Sequence, residues 1–278
     1  MRWALLLLSL PAAAQQSAPV AHFHHVHLNS VDPDAAIQFY TTKFDAGKAV
    51  FAGKPAVWAQ KSWLLFNKVK TPPPHETDSP IWHIGWGAED MPAVYKKQVE
   101  SGTKFQTPIT DISDLAGFKG FFYAYVDGPD QALIELNTAR HHNFGHLHTF
   151  SSDPLAAADW YAKYFGVRAR KSASKEPRMY RNVQVGPSAS FTIDNVNVII
   201  YPGMYRKHDR FRTTRGTVFD HVAFSVDNLD AVLAEMRKDG VKVLEKPKKM
   251  KGSSERSAIV DGPDFIAIEI VEGHARKP

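Results

Sequence analysis

Eight side chains able to bind a divalent cation recur at matching places along the 278 residues: His25, His27, His83 and Glu135, then His146, His148, His221 and Glu269. Side chains alternate across a strand, so residues two apart share a face. His25 and His27 therefore share one face, with Val26 and Leu28 on the other, and His83 lies opposite Trp82, Ile84 and Trp86. Glu135 opposes Ile134 and Leu136, His146 and His148 oppose Leu147, His221 opposes Val222 and Phe224, and Glu269 opposes Ile268 and Ile270. Two imidazoles and a carboxylate leave open positions on Fe(II), Mn, Ni or Zn for water, substrate or dioxygen. A single strand histidine is more often a hydrogen-bonded or exposed residue, but the same set appearing twice favours metal. His27 and His148 follow the first ligand on the same face. Each is a candidate general base, since imidazole titrates near neutrality, or alternatively a substrate-orienting hydrogen-bonding group.

The elements that must position these groups are themselves duplicated. Shifting the chain by 121 residues lays Phe23–Phe44 over Phe144–Phe165 with ten identities in 22, including both histidines, Asp32-Pro33, Tyr40 and Phe44. Two further blocks pair Ile81–Phe105 with Phe219–Val243 and Val126–Glu135 with Val260–Glu269, in the same order. Such ordered self-similarity marks an internal repeat. The expected modules are 21–140 and 141–273, with the boundary around Ala139–Asn143. Asp32-Pro33 and Asp153-Pro154 each supply an N-cap oxygen and a proline suited to the first helical position. Later helices are expected from Met91 to Ser101 and from Leu229 to Asp239, each stopped by a glycine, Gly102 or Gly240, suited to a left-handed cap.

Composition bounds the rest. With 44% apolar and 23% charged residues, the chain can bury a sizeable core. It has no cysteine, which excludes disulfides and thiolate ligation. Arg2, the apolar run Ala4–Leu10 and the small residues Ala12–Ala14 read as a signal peptide over residues 1–14, so a secreted or periplasmic protein is expected, with no membrane attachment after cleavage. Lys+Arg against Asp+Glu is 11 to 13 in residues 21–140 and 22 to 16 in residues 141–278. No basic and aromatic interleaving on a recognisable motif points to nucleic acid. His146 and His221 are 75 apart, against 58 for His25 and His83, so the second copy carries 17 extra residues there. Part of that insertion holds Arg206, Lys207, Arg210, Arg212 and Arg215. Arg210 and Arg212 are candidate substrate-binding residues for an anionic small molecule, a solvated loop being the alternative. His22, His24, His141 and His142 flank strands or the linker and are expected to be exposed.

The runs His25-Val-His-Leu with Asp32-Pro33 and Phe39-Tyr40, His221-Val-Ala-Phe-Ser-Val-Asp-Asn-Leu-Asp, and the Asp-Gly-Pro-Asp endings before Glu135 and Glu269 resemble the vicinal oxygen chelate superfamily. That group includes glyoxalase I, bleomycin-resistance proteins and extradiol dioxygenases. The resemblance implies an α+β fold of tandem βαβββ units forming cupped mixed sheets. It also implies divalent-metal ligands at His25, His83 and Glu135 in one copy and at His146, His221 and Glu269 in the other, and leaves open whether the cups close within each copy or by exchange between copies. The implied activity is that of a metal-dependent enzyme on a small oxygenated compound, by dioxygenase-like or by lyase or isomerase chemistry; the alternative is a non-catalytic small-molecule-binding protein. Departures bear on the choice. The further Glu of glyoxalase I-like sites is missing from Trp63–Asn67 and Val196–Tyr201. Of the His and Tyr acid/base groups of extradiol enzymes, the first copy has Tyr123 and Tyr125 but no His, and the second copy has neither. Gln131 and Phe265 replace the usual glycine after Pro-Asp, so these turns are expected to differ from the family's.

Overall fold

The computed structural model describes residues 20–74, 79–181, 183–203 and 210–274; the expected leader, Arg206 and Lys207 lie outside the described residues. The first copy runs β1 (His22–Ser30), α1 (Pro33–Lys43), β2 (Gly47–Phe51), β3 (Lys54–Ala59), β4 (Ser62–Lys68), β5 (Ile81–Ala88), α2 (Met91–Glu100), β6 (Phe105–Asp111), a short α3 (Ser113–Ala116), β7 (Phe122–Asp127) and β8 (Leu133–Thr138). The second runs β9 (Phe144–Ser151), α4 (Pro154–Phe165), β10 (Arg170–Lys171), β11 (Arg178–Tyr180), β12 (Val183–Gly186), β13 (Ala189–Ile193), β14 (Val196–Pro202), β15 (Phe219–Val226), α5 (Leu229–Lys238), β16 (Val243–Lys249), β17 (Arg256–Asp261) and β18 (Ala267–Glu272).

The helices begin where local chemistry dictates. The Asp32 carboxylate accepts from the Ala35 amide, and Asp153 accepts from those of Leu155 and Ala156, satisfying donors that a first helical turn leaves free. Gly102 and Gly240 take left-handed backbone after α2 and α5 (φ 75° and 80°), which carries the chain out of the helix. The Pro-Asp turns keep a left-handed path without glycine: Gln131 has φ 69° and Phe265 has φ 67°. Asp130 and Asp264, just before them, accept hydrogen bonds from Val31 N and Ser152 N, tying each turn to the strand end that leads into α1 or α4.

Two eight-stranded mixed sheets result, and their membership cuts across the repeat. Sheet 1 runs β16-β17-β18-β15-β1-β4-β3-β2 and sheet 2 runs β10-β13-β14-β9-β5-β8-β7-β6. Each copy contributes half of each sheet, so neither closes a cup on itself. The seams are the antiparallel pairs β1 with β15 and β5 with β9. One continuous apolar core joins both sheets and the helices. Tyr40 of α1 and Phe44 just after it stack on Trp86 of sheet 2, while Phe165 of α4 stacks on Phe224 of sheet 1. This burial holds each helix against strands of both sheets. Among the described residues, no helix is long and apolar enough to cross a membrane.

Candidate metal centres

Exchange of strands regroups the expected ligands. Centre 1 gathers His25, His27, His221 and Glu269, and centre 2 gathers His83, Glu135, His146 and His148, the donor atoms of each lying within 4.8 Å of one another. The residues of one copy, His25/His83/Glu135 or His146/His221/Glu269, are therefore not brought together; the pairing left open by the sequence is an exchange between copies. The pairing of β1 with β15 places His27 directly opposite His221, and β15 beside β18 places Ala223 next to Glu269. Sheet 2 repeats the pattern with His148 opposite His83 and Gly85 beside Glu135. A register shift at His24 in β1, and at Gly145 in β9, inserts an unpaired residue just before the first ligand.

In centre 1, Glu269 Oε2 lies 3.1 Å from Nε2 of both His25 and His221. The far nitrogen of His221 is 2.7 Å from Asp220 Oδ1. Asp220 is held in turn by Asn29, the Gly216 amide and Arg215. Burial alone would lower the His221 pKa, but its bonds to Asp220 and Glu269 outweigh this and raise it. Contacts with His221 and His25 outweigh burial at Glu269 and hold it well below the usual carboxylate range. Asp220 is likewise drawn down to about 2 by His221 against the opposing effect of burial. His24, expected to be exposed, is fully buried: its Nδ1 is 2.8 Å from His25 Nδ1, and its Nε2 is 3.9 Å from Glu255.

Centre 2 has a different support. Glu135 Oε2 lies 2.8 Å from His83 Nε2 and 3.7 Å from His148 Nδ1, and Glu135 Oε1 is 3.8 Å from His146 Nε2. Asn137 donates to Glu135 Oε1 at 3.0 Å. Burial drives His83 down to about 3 and His146 to about 4, so both are neutral near pH 7, as ligands must be. Gly85 faces His146 because nothing larger fits: a Cβ there would lie 1.9 Å from His146 Nε2.

A divalent cation suits both clusters. Nδ1 of His27, Nδ1 of His83 and Nε2 of His146 are buried without a hydrogen-bond partner, and Nε2 of His25 and of His83 lie close to a carboxylate without hydrogen-bond geometry, an arrangement that is costly unless something else binds there. Each cluster offers three imidazoles and one carboxylate, donors that suit Zn, Mn, Ni or Fe(II). Burial first, and neighbouring imidazoles next, hold His27 and His148 well below the ordinary range, making them proton-free donors and weak bases.

Each centre opens into its own cavity. That at centre 2 is about 560 Å³ and is walled by Trp82, Tyr123, Tyr125, Phe150, Tyr180 and Tyr201, with Arg181 also lining it. That at centre 1 is about 430 Å³ and is edged by Lys54, Arg215, Lys248, Lys249 and Lys251. Arg210 and Arg212 line neither; they border a separate surface depression with Pro74 and Phe265. Between them Phe211 is buried and stacks parallel to Phe150, which turns the flanking arginines outward. His141, also expected to be exposed, is half-buried on the centre 2 cavity wall. His22 is paired with Asp194 and His142 is exposed beside Glu89. Sequence reading missed Asp220, His24, Gly85 and Asn137. The available signal was a difference between copies: Asp220-His221 against Trp82-His83, and His24 against Gly145.

Known proteins are similar to this chain in sequence over its second copy and in fold over most of its length. A model of the glyoxalase/bleomycin resistance protein/dioxygenase superfamily matches residues 143–270. The fold is that of glyoxalase I from Zea mays (TM-score 0.67, 15% identity, covering 91% of this chain and 92% of that one). The second copy thus matches this superfamily, and the chain as a whole has the glyoxalase I fold. Two lactoylglutathione lyases, from Escherichia coli O157:H7 and Shigella flexneri, are each 27% identical over 128 residues, covering 45% of this chain and 90% of theirs. β4 and β14 carry no carboxylate, and in each cluster a further histidine, His27 or His148, lies within 4.8 Å of the other donor atoms.

Proposed function

We propose that the protein is a divalent-metal-dependent enzyme of lyase or isomerase type, acting at centre 2 on a small oxygenated compound with a flat apolar part. The observation that carries this reading is the convergence of His83, His146, His148 and Glu135 on an aromatic-walled cavity of about 560 Å³. His83, His146 and Glu135 would hold the cation, with His148 as fourth donor. Bound there, the metal would polarise neighbouring oxygens of the substrate and favour the charged form that follows loss of an α-proton. One carboxylate against a dication leaves the cluster with a net positive charge, which suits an anionic oxygen. Trp82, Phe150 and Tyr201 offer flat faces for the apolar part. Burial, then Glu135, raises the Tyr125 pKa, and burial first raises that of Tyr201 to about 12, so both hydroxyls stay protonated and can donate to substrate oxygens. Glu135 is the carboxylate among the cavity-lining residues, and it would take the proton by releasing the cation to the three histidines. The similarity to lactoylglutathione lyases supports this class of chemistry. We further propose export, on the strength of the N-terminal sequence pattern.

The test is metal-dependent exchange of an α-proton. Metal-reconstituted protein in D2O, given α-hydroxyketones or the methylglyoxal–glutathione adduct, is expected to exchange the α-proton by NMR, and His83→Ala to abolish this. No exchange with Zn, Ni, Mn or Fe(II) would remove the reading. A second reading, dioxygenase chemistry, is favoured by the two-histidine, one-carboxylate core His83/His146/Glu135, a set typical of Fe(II) oxygenases. Oxygen uptake by Fe(II)-loaded protein with a catechol, in place of proton exchange, would select it.

A further inference from the structure

The two clusters are built from equivalent strands, yet the groups behind their ligands differ in kind. At centre 1 the outward nitrogens of both strand-seam ligands are engaged. His221 Nδ1 meets Asp220 at 2.7 Å, and His25 Nδ1 meets the fully buried His24 at 2.8 Å. Asp220 is fixed by three further contacts, from Asn29, Gly216 and Arg215. At centre 2 the counterpart of Asp220 is Trp82, and His83 Nδ1 is buried with no hydrogen-bond partner. The counterpart of His24 is Gly145. A carboxylate behind a metal-bound imidazole fixes its tautomer, aims the other nitrogen and raises its basicity; losing such a partner typically costs about 10–100-fold in metal affinity.

We propose that centre 1 is a high-affinity site that loads first, with Asp220 and His24 as its positioning residues, and that centre 2 is a weaker, exchangeable site. This rests on the reading that both clusters hold metal. It divides the labour: centre 1 fixes a cation across the β1–β15 seam, while centre 2, with fewer constraints behind its ligands, keeps the cation accessible from the aromatic cavity.

Metal-free full-length mature protein is titrated with Co(II), following the visible ligand-field bands, and with Zn(II) against a chromophoric chelator. Two equivalents are expected, separated by at least about tenfold in Kd. Asp220→Asn and His24→Gln are each expected to weaken the first equivalent by about 10–100-fold and to shift its Co(II) spectrum, leaving the second unchanged. His83→Ala is expected to remove the second and spare the first. Two equivalents of equal affinity, or loss of the tighter one in His83→Ala, overturns the proposal while leaving the metal reading intact. Failure of wild type to bind either cation overturns both. Circular dichroism checks folding, and should Asp220→Asn not fold, His24→Gln decides alone.

Discussion

Replacing Gly85 by alanine isolates centre 2 with a single methyl group. The added Cβ would sit 1.9 Å from His146 Nε2, 2.1 Å from its Cε1 and 2.7 Å from the carbonyl oxygen of Glu135. Real Cβ contacts essentially never fall below 3.0 Å, so the imidazole must retreat by about 1.1 Å (3.0 − 1.9). A histidine–zinc bond is roughly 2.0–2.1 Å, and a retreat of half that length breaks it. Loss of a direct ligand should exceed the 10–100-fold cost of losing a supporting one, so affinity at centre 2 should fall at least about 100-fold, or roughly 3 kcal/mol. The backbone itself does not require glycine here, because the position has no left-handed φ. Reduced freedom of the unfolded chain even favours alanine by about 0.4–1 kcal/mol, partly offsetting the crowding. In the Co(II) titration, Gly85→Ala should lose one equivalent, while Ala223→Gly, its counterpart in sheet 1, should keep both. A Gly85→Ala protein that binds two equivalents with wild-type affinity and spectra would show that His146 is not a ligand where the structure places it.

Acidification should destabilise the metal-free protein before its carboxylates titrate. His24, His83 and His146 have folded pKa values of about 3, 3 and 4 against 6.5 unfolded, so their contribution is complete above pH 6.5 and is lost as pH falls toward the folded values. One unit below 6.5 the three together should cost roughly 4 kcal/mol, reduced by His221, whose raised pKa acts in the opposite sense. Thermal unfolding at pH 7.5 and 5.5 measures this; an unchanged Tm would contradict neutral burial. His148→Ala should lower metal affinity at centre 2 at least about tenfold. Full metal retention with lost turnover would return His148 to the role of base. Asp153→Ala should lower stability by about 0.5–2 kcal/mol in urea melts through loss of the α4 cap, without changing metal stoichiometry.

Strand alternation singled out all eight side chains of the two clusters, six as ligands and His27 and His148 as bases or orienting groups, because a half-buried strand commits its polar residues to one face. The partition between centres was not legible, for a reason built into the duplication. β1 and β9 carry nearly the same pattern, as do β5 and β15, so the apolar faces fit either partner equally and hydrophobicity cannot choose the seam. The two register shifts were equally silent: simple alternation assigns His24 to the face away from His25, whereas the extra residue in β1 brings their rings together. Arg210 and Arg212 were misplaced because the anchor of their loop is Phe211, whose burial depends on Phe150 more than 60 residues away. The small residues opposite the first ligands, Gly85 and Ala223, were visible, but their meaning depends on a pairing that only the fold supplies.

The strand exchange also sets an order of completion. Sheet 2, with every donor of centre 2, is drawn from one uninterrupted stretch, Ile81–Pro202, while sheet 1 joins the flanks, His22–Lys68 and Phe219–Glu272. As the chain emerges from the ribosome, or enters a new compartment, centre 2 has all its parts once β14 has passed. β1 must wait for partners nearly 200 residues downstream, so closing sheet 1 is a long-range, entropically slow step. Any truncation or stall near the C-terminus leaves the edge of β1 and the buried histidines beside it open to other chains and other metals. The seam between β1 and β15 is thus the molecule's closing clasp, and centre 1 lies across it.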